Sequence, residues 1–86
     1  ALARDGDAGG KEQAAGALRN LAVNAANKVK IAEAGGIPAL VALATNGSPG
    51  AKKDAANDLW LLAFNAANQV EIAEAGGIPP LVELAT

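Results

Sequence analysis

The 86-residue sequence contains no cysteine, histidine, methionine or tyrosine, and a single tryptophan and a single phenylalanine. Each absence closes a class of chemistry. Without cysteine there is no disulfide, so a chain this short has no covalent staple for its small core and is expected to be marginally stable. Without imidazole or thiolate no zinc site can be assembled. The only side-chain hydroxyls are Thr45, Ser48 and Thr86. No nucleophile with a partner base can be built from them, so no enzymatic activity and no cofactor are expected. A formal net charge of −2 and the near absence of stacking aromatics argue against a nucleic-acid partner. No apolar run approaches the roughly 20 residues that span a bilayer. The opening ALARDGDAGG has neither the basic nor the apolar region of a signal peptide. A soluble protein without a membrane partner is expected, cytoplasmic if natural.

What the sequence does contain is itself, twice. Displaced by 41 residues, IAEAGGIP at 31–38 falls on IAEAGGIP at 72–79 and NAAN at 24–27 on NAAN at 65–68, with roughly two-thirds of the aligned positions identical. A period near 40 without strand-like alternation indicates an all-α solenoid, one domain over 1–86 with repeat units 1–41 and 42–86. Gly35-Gly36 ends a helix, Pro38 suits the first turn of the next, and the run Asn46-Gly47-Ser48-Pro49-Gly50 breaks the chain again. The spacing predicts a long helix from about Asp7 to Asn24, a short one from about Asn27 to Ala34 and a medium one from about Ile37 to Thr45. The second copy should follow with about Ala51 to Asn65, Asn68 to Ala75 and Ile78 to Ala85. Ala14, Leu18, Leu21 and Ala25 then form the core face of the first long helix, and Ala55, Leu59, Leu62 and Ala66 that of the second.

The string AAGALRNLAVNAANKVKIAEAGGIPALVALA resembles an armadillo repeat: a short first helix (NKVKIAEAG), a second opened by Ile-Pro (GIPALVALA), and a long third carrying ALRNLA. The resemblance covers the whole chain and implies a right-handed α-solenoid of about two repeats with helix order 3-1-2-3-1-2. In that frame the chain is cut out of phase, without a dedicated capping repeat at either end. Even exposed stretches such as AEAGG are unchanged between copies. Consensus design, or excision from a very regular natural array, accounts for this, and the missing initiator methionine fits a cleaved chain.

Several local patterns fail on inspection. DGDAGG opens like a calcium loop at Asp5, Asp7 and Gly10, but the twelfth place, which needs a bidentate Glu, is Gly16. GGK is no phosphate loop, because Asp5 stands where the first Gly belongs and Glu12 where Ser or Thr should hold magnesium. The sequon Asn46-Gly47-Ser48 reads as a turn between helices.

The armadillo resemblance implies a concave groove lined by third helices, in which an Asn on each helix bonds the main chain of an extended peptide. Asn20 matches that position, with Gly16, Arg19 and Val23 on the same arc, but the family's Trp four residues earlier falls at Gly16. In the second copy the Asn position is Leu61 and the earlier place is Asn57. Leucine offers no donor or acceptor, so a row of peptide-binding asparagines is missing. Instead Asn57, Trp60, Leu61, Phe64 and Asn68 follow the spacing i, i+3, i+4, i+7 of one helical face, on an arc about 100° wide.

Large exposed apolar patches mark interfaces. Hence the expectation of a non-enzymatic interaction scaffold that associates with itself, as a homodimer or higher homo-oligomer, through this stripe and through its uncapped ends. In the two-fold mode Asn57 and Asn68 would stand at the polar margins. The alternatives are a peptide-binding fragment using the groove beside Asn20 and Arg19, a Trp-Phe pair that merely covers the end of the stack, and a bare structural fragment suited to repeat-folding studies.

Overall fold

A computed structural model describes residues 8–86. The described residues form six helices: α1 (Ala8–Leu21), α2 (Ala25–Glu33), α3 (Gly36–Asn46), α4 (Pro49–Leu62), α5 (Ala66–Glu74) and α6 (Ile78–Ala85). Long, short and medium helices follow one another twice, giving the expected all-α solenoid of about two repeats. Asp5 and Asp7 of the failed calcium loop lie outside the described residues.

The long helices stop three residues sooner than periodicity suggested, at Leu21 and Leu62, and the cause lies in the NAAN motif. Asn24 and Asn65 are extended (φ −86°, ψ 128° and φ −98°, ψ 129°), which no helix interior allows, and each caps the helix that follows. The side-chain oxygen of Asn24 accepts from the backbone N–H of Asn27 at 3.1 Å, and that of Asn65 from Asn68 at 3.0 Å. The second asparagine of each motif reaches backwards. Nδ2 of Asn27 donates to the carbonyl of Leu21, and Nδ2 of Asn68 to that of Leu62, both at 3.0 Å. Four residues thus close one helix and open the next.

The longest expected break is also shorter. Gly47 and Ser48 suffice: Ser48 caps α4, its Oγ accepting from Ala51 N–H at 3.2 Å, and Pro49 fits the first turn, where no N–H is required. The sequon is therefore the end of α3 and the cap of α4. At the other junctions Gly35 and Gly76 take φ of 83° and 84°, left-handed values that only glycine adopts without strain.

Helix α4 is the centre of the molecule, packed on α1 from one side and on α3 from the other. Ala15 of α1, Ala22 in the turn after it, and Ala51 and Ala55 of α4 are buried, and their small side chains let helices approach closely. Ile37, Leu40, Leu59 and Leu62 fill the space around them.

Of the expected core positions, Ala55, Leu59 and Leu62 are buried. Their first-copy counterparts Ala14 and Leu18 are only half-buried, and Leu21 is exposed. Leu18 packs on the edge of the core, and Ala14 and Leu18 line an open groove between α1 and α3. Ala25 and Ala66 are exposed because they are the first residues of α2 and α5, beyond the ends of the long helices.

Asn68 is buried, and its Nδ2 also approaches the carbonyl of Lys28 in α2 at 3.5 Å, linking the two units, whereas Asn27 is only half-buried. Asn68→Ala is expected to cost about 1–3 kcal/mol, because buried carbonyls lose their donor, and Asn27→Ala less than about 1 kcal/mol. Urea unfolding of both variants checks this, and equal costs would contradict it.

Candidate functional site

Trp60 and Phe64 both project to solvent, with 61% and 66% of their surface exposed. Their rings meet edge to face, with centroids 5.5 Å apart and planes inclined at 67°, the favoured arrangement for an aromatic pair. The ammonium of Lys28 lies 5.5 Å from the Phe64 centroid, within cation–π range. Leu61 is half-buried against the core and Asn57 is half-buried.

The five stripe residues do not share one helical face. α4 ends at Leu62, so Phe64 sits in the turn and Asn68 in α5. Asn68, expected at a polar margin, is buried with its amide committed to backbone carbonyls. The cap at Asn65, unrecognised in the sequence, cuts the arc in two.

What Trp60 faces follows from its counterpart one repeat earlier. Arg19 of α1 points to α4, where its Nη1 lies 3.6 Å from Asp54 Oδ1. Glu12, about two turns before it, accepts a hydrogen bond from Ser48 Oγ at 3.2 Å. A side chain at Gly16 would come within 3.8 Å of Asp54. This side of α1 is therefore the side on which the next long helix stacks, and Trp60 occupies the same side of α4. Val23, the counterpart of Phe64, stays exposed although a unit follows it, as does Asn20, the counterpart of Leu61. Trp60 thus belongs to the stacking side, while Leu61 and Phe64 belong to a face left open by stacking.

Apolar residues are also exposed on α6. Ile37 and Val41 of α3 are buried, and their counterparts Ile78 and Val82 are exposed. The first-copy counterpart of Trp60, Arg19, reaches α4, and Ile37 and Val41 belong to the core that includes Leu59 and Leu62 of α4.

The model of the armadillo/beta-catenin-like repeat matches residues 24–63, from the cap of α2 to the end of α4. The chain contains an armadillo repeat. No curated protein and no solved structure matches it significantly.

In armadillo terms α2, α3 and α4 are one complete repeat, α1 is a third helix before it, and α5 and α6 are a first and second helix after it. The armadillo groove expected along the third helices holds Asn20 and Val23, both exposed, and Gly16 and Arg19, both half-buried, on α1 and the turn after it. Armadillo repeats are protein-interaction scaffolds, typically without enzymatic activity. No helix among the described residues is long and apolar enough to cross a membrane.

One residue of this third-helix junction was missed by sequence reasoning. Asp58 is 1% exposed, and neither of its carboxylate oxygens has a hydrogen-bond partner among the described residues. Burial pushes its pKa up to about 7. The negative charge of Asp54 pushes the same way, and the guanidinium of Arg19 partly opposes both. The signal was present in the spacing: Asp58 stands in the row Ala51, Ala55, Asp58, Leu62, whose other members are apolar, and its first-copy counterpart is Ala17.

Proposed function

We propose that this armadillo chain is a protein-interaction scaffold that associates with copies of itself through the apolar surface around Trp60, Ile78 and Val82. The observation carrying the reading is the mismatch between identical residues: Ile37 and Val41 are covered, whereas Ile78 and Val82 are open, and Trp60 is open as well. Exposed apolar surface of this kind marks an interface, and Trp leads the residue types whose truncation costs most there, roughly 2 kcal/mol or more.

The test restores the first-copy residues, Trp60→Arg, Leu61→Asn and Phe64→Val, which the same backbone already accommodates one repeat earlier. The parent is expected to show a molar mass that rises with concentration in light scattering, and the triple variant to remain a monomer over the same range. A variant with the parent's mass would mean that the aromatic pair simply covers the end of the stack. The second reading, an extended peptide in the groove beside Asn20 and Arg19, is supported by the exposure of Asn20 and Val23. It predicts a parent that stays monomeric until peptide is added.

A further inference from the structure

Building on the self-association reading, we propose that the occupant of the Trp60 surface is helix α1 of a second copy, so that chains join head to tail in the geometry by which α4 packs inside the chain. Three features of the two ends support that occupant over a two-fold pairing of Trp60 surfaces.

The first is the contents of the junction. Inside the chain, Arg19 faces two acids of the next third helix, Asp54 at 3.6 Å and the buried Asp58 one turn on. A third helix stacked on α4 would meet Trp60 with whatever stands at those two places. In α1 these are Gln13 and Ala17. An indole against Asp54 and Asp58 would leave two carboxylates without a cation, whereas Gln13 and Ala17 offer a neutral, small surface. Both sides of the junction have changed together: a cation opposite acids inside the chain, an indole opposite a neutral pair between chains.

The second is shape. A groove of about 460 Å³ runs between α1 and α3, lined by Ala14, Leu18, Leu40 and Leu43 among others. In the repeat frame it is the place of a second helix preceding α1. Helix α6 is a second helix, and its exposed Ile78 and Val82 are the residues that α3 buries at the matching positions. One junction therefore seats α6 of one copy in the groove of the other while α1 of that other copy covers Trp60. It also covers Leu21, which is exposed on α1 although its counterpart Leu62 is buried.

The third is the backbone link. Asn68 Nδ2 reaches the Lys28 carbonyl across the internal junction at 3.5 Å. The repeat-equivalent pair between copies is Asn27 of one and the Gln69 carbonyl of the other, so the link can be made again.

The contact joins unlike surfaces, so a copy engaged through one of them still presents the other. Assembly then runs on as a filament or closes as a ring, and does not stop at a dimer. In sequence register residues 83–86 of one copy align with residues 1–4 of the next. A chain lacking residues 1–4 is expected to assemble at least as strongly as the parent.

The experiment uses two variants of the 86-residue chain in analytical ultracentrifugation, with circular dichroism to establish that both are helical. Gln13→Asp with Ala17→Asp gives α1 the acids of α4, and Trp60→Arg gives α4 the cation of α1. Each variant alone is expected to require about tenfold or more higher concentration to associate, because a central interface residue is mismatched. An equimolar mixture is expected to assemble like the parent, since each type of end then finds its complement. A single chain carrying all three substitutions should also regain assembly, which excludes misfolding as the cause of the losses.

If Trp60→Arg abolishes association while the α1 substitutions leave it unchanged, head-to-tail packing is wrong and a two-fold Trp60 interface remains. If the α1 substitutions weaken assembly but the mixture does not recover, the proposed pairing of ends is wrong. A parent that is monomeric at every concentration overturns the self-association reading and this inference with it. Weaker assembly after removal of residues 1–4 overturns the register.

Discussion

Asp58→Ala is expected to stabilise the chain at pH 8 and to do little at pH 4. Asp58 is buried without a hydrogen-bond partner among the described residues, and its pKa is raised from 3.8 to about 7. The folded chain therefore holds a proton in the window between those values that the unfolded chain has released. Stability is expected to be fully present below pH 4, to fall as pH rises towards 7, and to level off above it. At about 1.4 kcal/mol per pKa unit, this one group removes on the order of several kcal/mol across the window.

The groups facing Asp58 are Asp54 on its own helix, which adds to the effect, and Arg19 on α1, which reduces it. Alanine, the residue at the matching first-copy position, removes the buried charge, with an expected gain at pH 8 of about 1–4 kcal/mol. Thermal unfolding of parent and variant at pH 4, 6 and 8 checks the sign. A parent whose melting temperature does not fall between pH 4 and 8 would contradict it, as would a variant that loses stability at pH 8.

A comparably large effect is expected from identical leucines. Leu62 has no exposed surface, whereas Leu21, its counterpart, is 51% exposed. Leu62→Ala should cost about 2–5 kcal/mol, through lost transfer energy and the cavity left between α4 and its neighbours. In dilute solution Leu21→Ala should cost less than about 1.5 kcal/mol, because half of its surface is already wet. The difference should narrow at concentrations where chains assemble, since the head-to-tail junction covers Leu21. Urea unfolding at a low and a high protein concentration measures both costs. Equal costs in dilute solution would show that the two units are packed alike.

Much of the architecture was legible in the residues. The 41-residue period, the Gly-Gly-Ile-Pro punctuation and the apolar spacing lead to six helices in the right order, because turn chemistry and amphipathic periodicity are local properties. The helix ends were less legible. The spacing places the break inside NAAN, after Asn24 and Asn65, and only the extended caps at those two residues show that the long helices end three residues earlier. That single misreading joined Trp60, Phe64 and Asn68 into one stripe. Trp60 and Phe64 are exposed, but Asn68 was not recognised as a buried tie between units, nor Asp58 as a buried acid.

The sequence by itself determined the helices, their order, the armadillo resemblance and the absence of imidazole and thiol side chains, since each follows from residue type and spacing alone. It could not determine which copy of a repeated residue is covered. Leu21 and Leu62, Ile37 and Ile78, and Asn27 and Asn68 are identical pairs within the same local pattern, yet one of each is more deeply buried than the other. Burial in a solenoid depends on which neighbouring unit lies against a face, and a repeated sequence carries the same local instruction at every position. Only the packing of α4 between α1 and α3 broke that equivalence, and in doing so it left Trp60, Ile78 and Val82 facing solvent.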